Sequence, residues 1–566
     1  MFRYTQSTPA GRRTSDKTRA EPLAAVIRGR ACSAMDFVLC VYLVLMTGVM
    51  PFHFQDGYAH IATDKMIFCR QVNTCLAAAM ALAGAVSLVC TLALCRDHAK
   101  GKEGLPGRER KKPEAADGFF LLYGAALVLS YLLSDYREDA LWGAGNGWFT
   151  GFLPQLLLTA VYFAVSRLWK PRRWIFYLLL PASAGVFLLG YLNRFGIYPI
   201  KMNMSSPGFI STIGNINWYC GYAVTVFFAG AAAFWRGVEK GWQKVLLTGY
   251  VLLGFATLVT QGSASGIFTL AVMLLILFCL SSGDGRKMER FWLLSLLLSV
   301  ACLFTKVLRD MAPGRITFED GTLRLLTTGW LPLIMTSLSL AFLLLVHWLN
   351  GKDLYKGSRM KIVAGGIVIL VSGLLLAYIS LLAVNTLRGG SIGWLSGREA
   401  FIFSDTWGSN RGVTWKAGIR CFREQDFLHK LTGVGPDAMG AYIYRDGSAG
   451  LVEMLNAVFG EYMRLTNAHN EWLSVLVNTG LLGLAGFAGG MTTAICAFVK
   501  RRETDRIVCA CGFSLLAYTV NNIFSFQQTV NLTTMMLVLS MGMAFVRRDK
   551  GREEMKSGEE MKTGKK

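Results

Sequence analysis

Apolar runs recur along nearly the whole chain, each ended by a short polar or charged stretch. A helix needs about 20 apolar residues to cross roughly 30 Å of hydrocarbon, and most of these runs approach that length. The pattern predicts helices near 34–52, 74–95, 118–134, 151–168, 174–192, 216–235, 245–261, 265–282, 291–305, 329–349, 362–384, 476–499, 507–525 and 530–546, fourteen in all. The expected fold is an all-α, polytopic membrane helix bundle. One connection departs from the rule of short links: 385–475 is long, mixed in polarity, rich in aromatic and aliphatic residues and punctuated by Gly433-Val-Gly-Pro436. Long connections of this kind usually carry function, and this one reads as folded.

Composition agrees: 53% of residues are hydrophobic and only 17% charged, with mean hydropathy +0.41. The formal net charge of +22 would suit a nucleic-acid binder, but the basic residues sort by side of the membrane. If the N-terminus is inside, the connections at 96–112, 170–173, 236–244, 286–290, 352–361 and 500–506 and both tails all fall inside. With Arg167, that places 40 of the 58 lysines and arginines on one face and 18 on the other. This is the bias that orients a multi-pass protein, and gaining or losing a helix would break it. The expected organisation is a basic cytoplasmic tail (1–33), eleven helices (34–384), an extracytoplasmic loop holding the candidate active site (385–475), three more helices (476–546) and a cytoplasmic tail (547–566). Met1–Ala34 carries seven basic residues with no small-residue cleavage site beyond, so it reads as a tail before a first helix. The 13 cysteines lie mostly within apolar runs and form no disulfide framework.

Candidate chemistry concentrates at the external ends. Arg411–Gln425 reads as an amphipathic helix with Trp415, Ile419 and Phe422 on one stripe and Lys416, Arg420 and Arg423 on the next. Three cations on one face could bind a pyrophosphate, but the spacing alone favours a surface helix lying on anionic headgroups, its charges solvated or paired to Glu424 and Asp426. Arg411 points away from that stripe and can share its ligand only if it precedes the first turn, where Ser409 and Asn410 are candidate caps. His469 closes the loop just before Trp472 and Leu473, as a base for a hydroxyl proton or as an interfacial polar residue. Asn215 and Asn217, beside Gly214, suit a sugar-binding vestibule or a helix cap. Nucleotide-loop and metal-site motifs do not occur, and the external carboxylates lack ligand spacing.

Taken together, His469-Asn470, nine residues and then Gly480-Leu-Leu-Gly483-Leu484 resemble the signature of the O-antigen ligase and polymerase family of bacterial membrane glycosyltransferases. The long loop before the histidine, the Arg411–Trp415 segment, Gly433–Pro436 and the Thr212–Asn217 stretch fit the same pattern. One departure stands out: the stretch Thr260-Gln-Gly-Ser-Ala264 has alanine near a position where relatives have arginine. Arg194, Arg420 and Arg423 are then the candidate replacements.

The resemblance implies transfer of a glycan from an undecaprenyl-diphosphate carrier to a hydroxyl of a glycan, lipid or wall acceptor. The reaction would occur at the outer face of the cytoplasmic membrane, in cell-surface polysaccharide synthesis, with no cofactor or metal. His469 would be the catalytic position and Arg411, Arg420 and Arg423 would hold the donor diphosphate. Asn215, Asn217 and Asn470 would contact sugar, and Gly480 and Gly483 would let the helix beneath pack closely. The rival reading is a transporter or flippase for lipid-linked glycans. Such a protein should carry ionisable residues at mid-membrane, and the spans here are nearly free of charge.

Overall fold

The computed structural model describes residues 22–99, 112–143 and 150–562. The tail before residue 22, most of the basic connection at 100–111 and the last four residues lie outside that description. Each of the fourteen predicted helices corresponds to a helix of the structure. Twelve are long and apolar enough to cross a membrane, and Phe152–Leu168 and Arg506–Asn521 are shorter apolar helices.

Small residues set the packing. Ile216–Arg236 and Thr529–Met555 are almost wholly enclosed by the others. The first is lined by Gly221, Ala223 and Ala229–Ala233, whose size lets neighbouring backbones approach where hydrophobicity alone cannot drive helices together. Gly486 lets Glu471–Lys500 lie directly on Ala115–Leu133, since a Cβ there would stand 2.6 Å from the Tyr123 nitrogen. At the other extreme, Gly357–Leu387 buries almost nothing; Ile362, Ile369 and Leu376 face outward, as suits a helix bathed in lipid.

Among the described residues, buried ion pairs gather towards one end of the bundle. At that end, Asp117 accepts hydrogen bonds from Tyr162 (2.7 Å), Arg167 (2.8 Å) and Arg547 (2.5 and 2.6 Å). There too, Asp36 holds Arg172 and Asp505 holds Arg173 and Arg548. These pairs occur where the basic connections begin, so the buried carboxylates neutralise part of that face. At the opposite end the first helix widens to a π turn at Leu45–Val49 and ends in a 3-10 turn at Met50–Phe52, leaving terminal carbonyls that lipid cannot satisfy. The Lys65 ammonium caps those of Met50, Pro51 and His53 at 3.0–3.1 Å.

The chain between Leu387 and Glu471 folds on this second end. Trp407–Glu424, Phe427–Thr432, Met439–Arg445 and Ala449–Phe459 surround a small core of Val413, Ala417, Cys421, Ile443, Leu451 and Leu455. The expected helix at 411–425 is present. Ser409 and Asn410 are not its caps: with Gly408 they form a left-handed turn (φ of 60°, 67° and 61°) that folds the chain back, so that the Val413 nitrogen reaches the Asp405 carbonyl at 3.0 Å.

Candidate active site

A run of side-chain-to-backbone bonds sets His469 in place. The Asn467 carboxamide accepts from the His469 nitrogen (3.0 Å), the Ser474 hydroxyl accepts from the Ala468 nitrogen (3.1 Å), and Asn470 caps the following helix by accepting from the Leu473 nitrogen (3.0 Å). His469 takes a left-handed backbone, φ 49°, which is uncommon for a residue other than glycine. The turn is stapled to the corner between the last two helices. Glu471 is fully buried: its nitrogen donates to the Asn522 carbonyl (3.0 Å), and its carboxylate accepts from Tyr518 (2.9 Å) and from the Asn522 amide.

That corner also receives Arg411, whose Nε donates to the Phe524 carbonyl (2.9 Å) while Nη1 donates to the Gly408 carbonyl (2.7 Å). Trp415 stacks on Phe524, with centroids 5.6 Å apart, and the His469 ring meets the edge of Phe526 at 4.8 Å. Among the described residues, neither ring nitrogen of His469 has a hydrogen-bond partner. Burial, and then the neighbouring Arg411 guanidinium, push its pKa down to about 4, so the imidazole is neutral at pH 7. Burial also lowers the Arg411 pKa, though a guanidinium stays charged at any working pH. The result is one neutral proton acceptor beside one fixed cation, both half-buried at the same corner.

The other predicted residues divide. Asn215 caps Ile216–Arg236 through the Asn217 nitrogen (2.9 Å), and the Asn217 carboxamide accepts from the Ser263 hydroxyl (2.9 Å). Ser263 leads through Ser265 and Cys220 to Asn521, and Cys220 lies close enough to Arg411 to feel its charge. Asn217 thus belongs to the same polar patch as Arg411 and His469, whereas the Asn215 and Asn470 carboxamide oxygens are occupied by capping.

Arg420 and Arg423 do not join Arg411. Nine and twelve residues further along one helix, they lie about 13 and 18 Å away at 1.5 Å per residue. Arg420 is engaged by Glu424 at 2.7 Å, and Arg423 is exposed at the surface. Arg194 is also committed: its three nitrogens donate to the Thr260, Pro207 and Gln261 carbonyls at 2.7–2.9 Å, and its side chain is buried against Phe318. Of the three, Arg194 is the one whose guanidinium lies on the Thr260–Ala264 stretch, held there by the Thr260 and Gln261 carbonyls.

Gly480 does admit a neighbouring helix, since a Cβ there would stand 2.3 Å from the Leu431 carbonyl of Phe427–Thr432, but it also shapes its own helix. Gly480 breaks Glu471–Lys500 with φ 66° and ψ −169°, freeing the Val477 and Asn478 carbonyls. Those carbonyls accept from the Val434 (3.1 Å) and Gly435 (3.0 Å) nitrogens of the Gly433–Pro436 turn, and Ser130 adds a bond to Asn478 at 2.8 Å. Gly483 makes room for Thr479 on its own helix. Close packing against Ala115–Leu133 falls instead to Gly486, Gly489 and Gly490.

Several site residues escape the sequence reading, chiefly those of the corner Asn521-Asn522-Ile-Phe-Ser-Phe-Gln-Gln528. Its signal is a density of amides between two apolar helices. Four buried atoms here, Gln527 Oε1, Gln528 Nε2 and both carboxamide atoms of Asn531, have no partner among the described residues. Unsatisfied buried amides of this kind call for water or a ligand. Among the described residues no group of three or more His, Cys, Asp or Glu side chains is placed to hold a metal ion.

The fold is that of a polytopic, all-α membrane protein, with a candidate site of one histidine and one arginine on a folded segment at one end of its bundle. Residues 323–488 match the family model described as O-antigen ligase, a region that contains Arg411, His469 and both signature glycines. The match spans under a third of the chain and supports its placement in the O-antigen ligase family. No curated protein matches the chain significantly.

Proposed function

We propose that this protein is an O-antigen ligase- or polymerase-type glycosyltransferase that moves a glycan from an undecaprenyl-diphosphate carrier to an acceptor hydroxyl. The reaction takes place at the extracytoplasmic face of a bacterial cytoplasmic membrane, and both termini are cytoplasmic. The observation that carries this reading is the pairing of neutral, unpartnered His469 with Arg411 inside the region matched by the family model.

His469 accepts the proton of the acceptor hydroxyl as its oxygen attacks the anomeric carbon. The bond from that carbon to the diphosphate breaks, and the departing anion is stabilised by Arg411, a fixed cation in a partly water-excluded setting. An imidazole of pKa about 4 is a weak base in the free protein. Burial is the larger cause of that depression and persists; a diphosphate seated on Arg411 offsets the smaller part due to the guanidinium, so basicity rises in part when the donor binds. No metal is needed to offset the leaving group's charge in this scheme. Asn217, half-buried beside the same patch, supplies a hydrogen-bonding group of the kind that sugars require.

Deleting the protein tests the reading at the level of the cell. Lipid-linked glycan should accumulate on the outer face; accumulation on the inner face would indicate a flippase instead. Loss of long chains would mark a polymerase, and intact chains left on the carrier a ligase.

Arg411→Ala should lower kcat/KM for the lipid-linked donor by about 10- to 100-fold, the cost of one charge-assisted contact of roughly 1.5–3 kcal/mol. Initial rates against donor concentration measure this, and an unchanged value would remove Arg411 from the site.

The pH profile provides a separate check. Because the pKa of His469 is depressed, the free protein keeps a neutral imidazole as pH falls from 7 to 5, and protonation sets in only towards about 4. The donor kcat/KM should therefore stay flat over that range, where an imidazole with the ordinary pKa of about 6.5 would lose about 30-fold by pH 5.

A further inference from the structure

At the end of the bundle opposite His469, the structure contains a half-open cavity of about 780 Å³ ringed by charged side chains. Its position follows from Ala115–Leu133: Asp117 stands at one end of that helix beside the cavity wall. Ser134, just past the other end, donates to the Val434 carbonyl under the 388–470 segment. Seventeen residues separate them, about 25 Å along a helix.

The wall carries Arg167, Lys170, Arg547, Arg548, Lys550 and Arg552. With Lys112 these make seven cations, against the lining carboxylates Glu114 and Glu554. Among the described residues, adding the carboxylates bonded to the wall from behind, Asp117, Asp505 and Asp549, gives seven cations to five anions, an excess of positive charge even before Arg173, which shares Asp505, is counted.

The excess is partly buried. Arg547 is 5% exposed and shares the single Asp117 carboxylate with Arg167. Its Nη2 reaches both carboxylate oxygens, while its Nε and Nη1 have no hydrogen-bond partner among the described residues. A buried guanidinium with two idle donors is costly unless an anion completes it.

The cavity also sits at the level of a membrane surface. Arg547 ends the apolar stretch of Thr529–Met555, Trp169 forms part of the wall, and Trp174 and Tyr177 are exposed on the helix that follows. Aromatic residues of this kind gather at the headgroup layer.

We infer that this cavity binds the phosphate of an anionic glycerophospholipid from the leaflet at that end, with Arg547 as the buried contact and Lys170 and Arg552 as the open ones. Phosphate oxygens match the fork of a guanidinium, and basic pockets between membrane helices suit such headgroups. The site is independent of the glycan-transfer reading, because it shares no residue with the His469 corner.

The test uses the full-length protein purified in a neutral detergent. Its Tm is followed while phosphatidylglycerol, cardiolipin, phosphatidylcholine or inorganic pyrophosphate is titrated. The anionic lipids should raise Tm saturably, and phosphatidylcholine should not. Arg547→Gln should abolish the effect. Because that change also disturbs the Asp117 pair, the double variant Lys170→Gln/Arg552→Gln is the safer probe. Neither side chain holds a carboxylate among the described residues, and their joint loss should weaken the anionic-lipid response about 25-fold, at roughly 1 kcal/mol per cation. Equal stabilisation by phosphatidylcholine, or an unchanged response in the double variant, would overturn the inference. Stabilisation by pyrophosphate matching that of the anionic lipids would overturn the lipid assignment in favour of a soluble phosphate.

Discussion

His469→Asn is expected to lower kcat for glycan transfer by about 10²- to 10⁴-fold, the usual contribution of a positioned proton acceptor. Asparagine is the informative replacement. The native backbone at 469 is left-handed, which asparagine tolerates better than most residues, so the turn and its bonds to Asn467 and Ser474 should survive. What is lost is a ring nitrogen able to take a proton near neutral pH. Arg411 stays on the Phe524 carbonyl, so the donor KM should change little. That split between kcat and KM separates a chemical role from a structural one. Transfer by the variant at more than half the unmutated rate, with the protein present at its normal level, would remove His469 from the chemistry.

Gly480→Ala should act on folding. The backbone there has φ 66° and ψ −169°, a region in effect reserved for glycine, and an added Cβ would stand 2.3 Å from the Leu431 carbonyl carbon and oxygen. Neither obstacle is a movable side-chain tip, so strain and clash together should cost about 3 kcal/mol or more. The chain would have to restore helix through 480, withdrawing the Val477 and Asn478 carbonyls from the Gly433–Pro436 turn. Reduced membrane level and a Tm lowered by several degrees in detergent would show this. Gly483→Ala provides a comparison: its obstacle is the Thr479 side chain one turn back, which can change rotamer, so the loss should be smaller. Equal, near-normal Tm values for both variants would contradict the account.

The helices are legible in the sequence because a span is defined by length and hydropathy, and lipid leaves the backbone little alternative to helix. Even Phe152–Leu168 and Arg506–Asn521, too short to qualify on length, stand out as apolar runs between charged connections. His469 and Arg411 are legible as members of short motifs.

The corner at 521–528 is not, because Ile523, Phe524 and Phe526 continue the apolar run and hide the helix end. The span predicted at 507–525 in fact stops at Asn521. Nor does helical spacing reveal that Arg420 is already spoken for. The i, i+4 relation that places Arg420 on the Lys416 and Arg423 stripe equally places it on Glu424, and the nearer charge wins. Gly480 is a different case: a glycine within an apolar run reads as a packing notch, and only the backbone angles show it to be a break.

The corner at 521–528 carries a further consequence. The histidine turn is stapled to Asn522 and the arginine to Phe524, so both reach the site through the same few residues of one membrane hairpin. The spacing between the imidazole and the guanidinium is therefore gauged by a short turn rather than by the eighty-odd residues that separate the bundle's eleventh helix from its twelfth. Substitutions elsewhere on the outer surface of that segment can reshape it without retuning the distance on which the proposed chemistry depends.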